Sequence, residues 1–307
     1  MMRSEHAVEL REHAIGWRIQ RLDVHIRDRT DNSGLIMGIL ANILRRLPNL
    51  RVLTFAITGH GYYDRYKVLP DNVLQATNAC RDTLQLINWY GGAMFSSKSW
   101  ASFLENHPRL EAINVPVVLT QPGNSHIFLD SLKSIYVHSD ISLSDMLWNI
   151  NLPSINHAIY DNVYHSYHSL LKIGSKLTSI QINILRHDLD FAANRALSRI
   201  ATTCKNLARL DLVIGKWMVP FFSIPESVHT MAIRIVAHQI PRRSLKTFFD
   251  MIHNILFSSP SVKTLCFKDR RNVRALRAHS QALRSNLAAI LILGVNVMDH
   301  ESRPLVV

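Results

Sequence analysis

Two histidines are the first residues of this chain whose types and spacing suggest chemistry. The sequence holds 16 histidines, and His165 and His168 form an HxxH pair in the segment VYHSYHSLL. A zinc protease needs two histidines four positions apart on a helix, with a glutamate between them as general base. Here no glutamate lies between the two and the spacing is one residue short. We therefore predict that they are ordinary histidines between structural units, and that the chain has no metal site.

Nucleophile and phosphate-binding motifs are missing as well. The sequence contains no GxSxG, GxxxxGK[ST] or GxGxxG segment, which are the turns that expose a serine or cradle phosphates. The segment 59–67, GHGYYDRYK, has His60 and Asp64 but no nucleophile with a partner base. A catalytic site needs nucleophile, base and stabiliser together. The sequence predicts no catalytic residues, no cofactor and a protein that is not an enzyme.

Positive charge is concentrated toward the C-terminus. The formal net charge is +12, and from Arg234 onward twelve lysines and arginines stand against four acidic residues, a net charge of +8. Arg270, Arg274 and Arg277 have helical spacing, with Arg271 beside them. Such a basic face attracts nucleic acid, an acidic protein or anionic lipid. The alternative, which we favour, is a solvated outer helix, because this helix lacks the aromatic side chains typical of single-strand binders.

A tyrosine-rich segment is the other candidate surface. Tyr62, Tyr63, Arg65 and Tyr66 belong to the residue types that dominate interface hot spots, so we predict a partner-binding loop there. Local packing of the tyrosines over a sheet edge explains the pattern equally well. A second segment of the same character begins at Asn88, and its aromatic residues belong either to the core or to a contact surface; they are Trp89, Tyr90 and Phe95.

The elements that must position these residues are predicted by a repeated phrase, L-x-x-L-x-L. It reads Leu207, Leu210 and Leu212 in CKNLARLDL, and it returns at irregular spacings of 21 to 34 residues. Most copies alternate apolar and polar residues, as a half-buried strand does. The eleven copies start at residues 19, 50, 84, 110, 132, 155, 177, 207, 228, 262 and 287.

Apolar stripes at helical spacing lie between these phrases. After Ser244, the residues Leu245, Phe248 and Ile252 fall on one helix face. Three other stripes are predicted: Leu197, Ile200, Ala201 and Cys204; Ile36, Ile39, Leu40, Ile43 and Leu44; and Trp100, Phe103 and Leu104. Alternating helices and strands predict an α/β fold, an irregular leucine-rich-repeat solenoid with parallel strands on the concave face and helices outside. A doubly wound sheet is disfavoured because no glycine-rich loop follows the first strand.

Phrases such as LPNLRVLTF, FLENHPRLEAINV and CKNLARLDLVIG resemble the degenerate leucine-rich repeats of fungal F-box-type proteins. The resemblance covers roughly Trp17 to Leu293 and implies a substrate-recognition module of a ubiquitin ligase. Two features depart from the family. No F-box-like segment precedes Ile19, so we expect no binding to an F-box adaptor. The Asn or Cys of regular repeats is replaced at its positions by Thr58, Gly92, Val118, Asp140, Leu185, Gly215 and Arg270.

Composition places the chain among globular proteins. Apolar residues make up 47% of it, enough for a core, and no apolar run reaches the roughly 18 residues of a membrane helix. Cys80, Cys204 and Cys266 are widely spaced and odd in number, as in proteins of the cytoplasm or nucleus. We predict an N-terminal cap or tail over 1–16, the solenoid over 17–293 and a C-terminal tail over 294–307.

These observations favour a monomeric, non-catalytic module that binds a protein partner. The alternative is binding of nucleic acid or an acidic partner through the basic C-terminal repeats. No membrane association is expected, and the sequence does not identify the partner.

Overall fold

The computed structural model describes residues 16–28, 33–59, 67–68, 70–91, 93–115, 117–119, 127–137, 150–161, 166–185, 191–219, 221–237, 239–240 and 244–305. The chain divides into two compact units, Met1–Ile155 and Asn156–Val307. The sequence predicted one continuous run of repeats over 17–293. In both units parallel strands alternate with helices, so the protein is an α/β protein.

The main sheet of the first unit is parallel, with its strands in chain order. Its strands are β1 (Arg21–Asp28), β2 (Val52–Gly59), β4 (Leu86–Gly91), β6 (Ala112–Val115) and β9 (Ser134–Val137). Two small parallel sheets are formed by β3 (Lys67–Val68), β5 (Ala93–Ser96) and β7 (Val117–Leu119), and by β8 (Ile127–Phe128) with β10 (Ile150–Asn151). The helices are α1 (Ser33–Leu44), α2 (Asp71–Ala76) and α3 (Ser97–Asn106).

The strands of the second unit are likewise parallel and pair in chain order. Its strands are β11 (His157–Tyr160), β12 (Ser179–Ile184), β13 (Arg209–Ile214), β14 (Thr230–Ile235), β15 (Thr264–Phe267) and β16 (Asn296–Met298). The helices are α4 (Ser166–Ile173), α5 (Phe191–Thr203), α6 (Ser244–Phe257), α7 (Arg270–Arg277) and α8 (Ser280–Ile292).

The repeated phrase marks the strands. Ten of its eleven copies coincide with the parallel strands of the two units. Leu207, Leu210 and Leu212 are buried, as are the equivalent residues of most other copies. The first copy is half-buried, because β1 lies at the end of its sheet. The apolar residues of the phrase therefore form the core side of the strands.

The same hydrogen bonds recur where a helix gives way to a strand. The N–H of the first phrase residue is donated to the carbonyl three residues earlier, as in Leu50 to Leu47, Leu110 to His107 and Leu207 to Cys204, at 3.2–3.3 Å. At the start of the next strand, two successive residues donate their N–H groups to one backbone carbonyl, which lies at the start of the preceding strand. The Thr178 carbonyl, for example, accepts from Ala208 and Arg209 at 2.9 and 3.0 Å. This shared turn fixes the register between neighbouring strands.

Side chains just before the phrase form hydrogen bonds between successive turns. They donate to the backbone of the preceding turn, where a carbonyl otherwise lacks a strand partner. The bonds run from Asn49 Nδ2 to the Trp17 carbonyl, from Thr83 Oγ1 to the Pro48 carbonyl and from Asn206 Nδ2 to the Ser175 carbonyl, at 2.7–2.8 Å. Successive turns are thus bonded to one another at the N-terminal ends of the strands.

Helix α6 shows how the helices cover the core side. Its predicted stripe after Ser244 is buried. The rings of Phe248 and Phe249 both lie 6.4 Å from the ring of Phe267 on β15. Full burial of a Phe side chain contributes about 1.5–3 kcal/mol. This aromatic packing therefore holds helix α6 against the core side of the sheet.

Helix α1 forms as predicted, but only two of the five residues of its predicted stripe, Leu40 and Leu44, are buried. The predicted stripe included Ile36, Ile39 and Ile43, which are exposed. The buried residues are Met37, Leu40, Ala41 and Leu44. The segment SGLIMGILANIL is apolar nearly all round, so its periodicity does not define one face, and packing against the sheet selects it.

The eleventh phrase was wrongly assigned to a strand. Leu287, Ile290 and Ile292 lie in helix α8, and Ile292 is 85% exposed. The true strand is β16, inside the predicted C-terminal tail, and it pairs with β15. A continuous apolar run fits strand and helix equally well, and the helix-ending Gly294 has φ +74°.

The chain after β16 folds back along that strand. Leu305 donates its N–H to the Val297 carbonyl at 2.8 Å, and Pro304 bridges to Met298. Burial raises the pKa of Asp299, but hydrogen bonds from the Arg303 and Glu301 N–H groups and the Arg303 guanidinium outweigh this, and the pKa is lowered. The turn around Asp299 therefore holds a short segment over an otherwise open strand edge.

Leu210→Ala tests the placement of the phrase in the core. Leu210 is 1% exposed, and removing a buried leucine side chain costs about 2–5 kcal/mol of unfolding free energy. The matched control is Ile292→Ala at the exposed end of α8, which should change stability by less than about 0.5 kcal/mol. Urea unfolding measures both, and a loss below about 1 kcal/mol for Leu210→Ala would contradict the placement.

A pH dependence follows from His107 in the turn before β6. Its Nδ1 lies 2.6 Å from the Phe103 carbonyl and its Nε2 lies 3.1 Å from the Thr77 carbonyl. Burial lowers the pKa of His107 from 6.5, against the opposing effect of both carbonyls. The unfolded chain therefore takes up this proton first as the pH falls, so stability is complete above about pH 6.5 and declines below it.

In urea unfolding at about pH 7.5 and about pH 5.5, His107→Gln should remove up to about 1.4 kcal/mol of the acid-induced loss of stability. The matched control is His229→Gln at an exposed position. Equal pH dependence in the two variants would count against this role of His107.

Candidate functional site

The strands of the second unit carry polar side chains opposite their core side. Strand side chains alternate between the two faces of a sheet, and parallel register aligns them in rows. Gln181, Asp211 and Cys266 lie in one such row across β12, β13 and β15. We call this side the polar face; its side chains include His157, Ser179, Gln181, Asn183, Arg209, Asp211, Thr230, Arg234, Thr264 and Cys266, with Lys268 directly after β15.

Asp211 is the centre of this face. Its side chain is 5% exposed, and each carboxylate oxygen meets a cation. Arg209 Nε donates to Oδ1 at 2.9 Å, and Lys268 Nζ donates to Oδ2. Burying a carboxylate is costly unless it is paired, so these two bonds allow Asp211 to sit beneath the surface. Both cations are in turn held in place.

His157 lies at the β11 end of the same face. Burial lowers its pKa; Asp211 opposes that change, whereas Lys268 and Arg209 add to it. A ring whose pKa is lowered stays neutral near pH 7 and can both donate and accept a hydrogen bond. His157 therefore adds a neutral polar group to a cationic neighbourhood.

A cavity of about 470 Å³ opens over the cluster. It is lined by Gln181, Asp211, Leu212, Val213, Arg234, Lys268, Asp269, Arg270 and His300. Arg234 Nε lies 3.5 Å from Asp269 Oδ2 at its rim. Strands β12 to β14, the end of β15 and the start of α7 thus contribute to one polar hollow.

The predicted basic residues lie on helix α7. Asp269 caps its start, with Oδ1 accepting the Arg271 N–H at 2.7 Å, while Val273 and Leu276 are buried. The arginines Arg270, Arg271, Arg274 and Arg277 are exposed. Arg277 Nη2 lies 3.5 Å from the buried Asp299 carboxylate, so part of this charge is balanced within the protein.

The predicted tyrosine-rich surface, Tyr62, Tyr63, Arg65 and Tyr66, lies outside the described residues. For the segment after Asn88, the structure separates the two alternatives. Trp89 and Phe95 are buried, with ring centroids 4.8 Å apart, and Trp89 also lies 5.1 Å from Phe55. Tyr90 is exposed. Two of the three aromatic residues therefore belong to the core.

The first unit has a polar row of its own, but of different character. On β2, β4, β6 and β9 this row consists of Thr54, Asn88, Asn114 and Tyr136. Thr54 and Asn114 are buried. The row is uncharged along these four strands, whereas on β1 the residue in register with Thr54 is Asp23, which pairs with Arg21 at 2.7 Å.

Metal chemistry gains no support from the described parts of the chain. Within them, no cluster of three His, Cys, Asp or Glu side chains has the geometry to hold an ion. His165 lies outside the described residues, and of the predicted pair only the backbone of His168 is described, at the start of α4. Cys80, Cys204 and Cys266 are free thiols, and burial raises the pKa of each.

Sequence reasoning missed Arg209, Asp211, Lys268 and His157 as candidate site residues. Arg209 and Asp211 lie at the variable positions of the phrase LARLDL, which point away from the core. Aligning the phrases in parallel register would have placed Asp211 beside Gln181 and near Lys268. The sequence therefore contains the information that places these residues together, but using it requires knowledge of the strand order.

No protein-family model matches this sequence, and a search of curated proteins finds no match. No helix in the described ranges combines the length and apolar character needed to cross a membrane. The chemistry of the polar face is therefore the main guide to function.

Asp211→Ala tests whether the carboxylate organises this face. The change leaves Arg209 and Lys268 without their shared partner, and both cations are partly exposed, so water offsets part of the cost. We expect a loss of about 1–3 kcal/mol in unfolding free energy, measured by urea unfolding.

The matched control is Asp82→Ala, which breaks the exposed Arg81–Asp82 ion pair and should cost less than about 0.5 kcal/mol. Similar losses in the two variants would show that Asp211 contributes no more than a surface charge.

Proposed function

We propose that this protein is a non-catalytic recognition module that binds a protein partner on the polar face of its second unit. The observation that carries the proposal is the Arg209–Asp211–Lys268 cluster beside a cavity of about 470 Å³. Its charged side chains lie opposite the core side, so core packing does not account for them. The buried Asp211 holds Arg209 and Lys268, which are partly exposed, and charges fixed at a surface provide the complementarity by which interfaces select partners.

The energetic cost of the cluster supports the same proposal. A buried ion pair is often no more stabilising than apolar residues of equal volume, so stability alone does not favour a carboxylate at Asp211. Arginine is enriched in protein interfaces and their hot spots, and Arg209 and Arg234 both lie on the polar face. Recognition gives these side chains a role that folding does not require.

We further propose that the repeats form an irregular leucine-rich-repeat solenoid. Three features support this: the apolar phrase at ten strands, the hydrogen-bonded turn before them, and side-chain bonds between successive turns. Stacked repeats of this kind offer extended binding surfaces. The resemblance to F-box-type repeats extends the proposal to a ubiquitin-ligase substrate as partner, in the cytoplasm or nucleus.

Binding of nucleic acid through α7 is the competing hypothesis. The four exposed arginines of that helix favour it. Against it, Arg277 lies beside Asp299 and Lys268 is bonded to Asp211. The helix RRNVRALR also lacks an aromatic residue on which a base could stack. These contacts support a protein partner more than a nucleic acid.

Two polar-face variants test the proposal in partner capture from the native cell. Arg234→Glu reverses a charge and Gln181→Trp adds bulk over the cavity; each should reduce recovery of the bound protein by about tenfold or more, because interface hot spots contribute about 2 kcal/mol or more. Quantitative mass spectrometry of captured proteins provides the measurement.

The matched controls are Lys246→Glu and Asn254→Trp at exposed positions of α6, and they should retain the partner. If captured proteins are unaffected by the polar-face variants, or are lost equally in the controls, the polar face is not the binding surface.

A further inference from the structure

The cavity on the polar face is surrounded by more cationic than acidic side chains. Four cationic side chains line it or support its floor: Arg209, Arg234, Lys268 and Arg270. Two acidic side chains, Asp211 and Asp269, accompany them. The surroundings of the cavity therefore carry two more positive than negative charges, which attract a negatively charged group.

The two acids are engaged within the protein. Asp211 uses one carboxylate oxygen for Arg209 and the other for Lys268. Asp269 Oδ1 accepts the Arg271 N–H at 2.7 Å, and its Oδ2 faces Arg234 at 3.5 Å. Neither carboxylate has an oxygen without a cation or an N–H group nearby, so both act as fixed supports for the cations.

The cations keep donors for a ligand. A guanidinium has five N–H groups, and the Arg209 and Arg234 contacts to the two acids are each made through Nε. Arg270 forms no ion pair with any residue in the described parts of the chain. Arg234 is 58% exposed, so its remaining N–H groups are accessible from the cavity.

We propose that this cavity is a carboxylate-binding subsite that takes an acidic side chain from an extended segment of the protein partner. Arg234 and Arg270 donate to the incoming carboxylate, while Asp211 holds Lys268 and Arg209 below them. The inference rests on the proposed function and adds to it the chemistry of the partner, an extended peptide segment that places one Asp or Glu side chain in the cavity.

A single carboxylate fits this site better than a phosphate backbone. Its planar pair of oxygens matches the fork of a guanidinium. A polyanionic chain crossing the cavity would also approach the Asp211 and Asp269 carboxylates, which repel it. Gln181 and His300 add hydrogen-bonding groups to the lining that suit the amide backbone of a peptide.

Fluorescence anisotropy with a labelled peptide of three Gly-Glu repeats tests the proposal on the full chain at low ionic strength. The comparison peptide has three Gly-Gln repeats, and we expect it to bind at least about tenfold more weakly. Arg234→Gln and Arg270→Gln should each weaken binding of the Gly-Glu peptide about tenfold. The matched control, Lys246→Gln on α6, removes the same charge at a distance and should change the Kd by less than about twofold.

Three outcomes would overturn the subsite. They are equal affinity for the two peptides, equal losses in the cavity variants and Lys246→Gln, and displacement of the Gly-Glu peptide by an RNA hexanucleotide that binds more tightly through Arg270. The wild-type far-UV circular dichroism and melting profile, retained by each variant, excludes misfolding as the cause. If the peptide fails to bind while Arg234→Glu still abolishes partner capture, the recognition surface stands and only the partner's chemistry is wrong.

Discussion

The register between neighbouring parallel strands is the constraint on which the rest of this structure depends. It is set before each strand begins, where one backbone carbonyl accepts two successive N–H groups from the next strand start, as Thr178 does from Ala208 and Arg209. Because side chains alternate along a strand, a slip of one residue would move every apolar side chain out of the core. The same register that aligns Leu210 with Ile180 in the core also aligns Asp211 with Gln181 on the polar face.

The polar face is a consequence of that alignment. It also contains the side chain whose burial costs the most free energy, the Asp211 carboxylate. Asp211 is buried as deeply as many apolar residues, and its two oxygens are used by Arg209 and Lys268. A carboxylate in that position is tolerated because both partners arrive from fixed points, one two residues earlier on the same strand and one at the end of β15. Rigid charges of this kind lose little conformational freedom when a partner binds. The cluster therefore combines an energetic cost in the free protein with an advantage in recognition.

The two units use similar backbone structure for different surfaces. Along β2, β4, β6 and β9 the row opposite the core is uncharged, with Asn114 buried within it, whereas the second unit carries charges at the corresponding side of β13 and β14. Helix α1 adds an apolar exposed face to the first unit, through Leu35, Ile39 and Ile43. The charged chemistry on which recognition is proposed thus belongs to the second unit, and its α7 arginines extend the positive charge beyond the cavity.

The sequence by itself determined the α/β character, ten of the strands and helices α3, α5 and α6, because a local apolar period reports which side of an element is buried. It failed where the period was uninformative. The all-apolar α1 offered no preferred face, and the run after Leu287 was compatible with strand or helix. The tertiary structure alone brought Asp211, Arg209 and Lys268 together, since Lys268 is 57 residues from Asp211 along the chain. Contact among these three side chains depends on the order of the strands and their common register. Both arise from hydrogen bonds between segments rather than from any local sequence pattern.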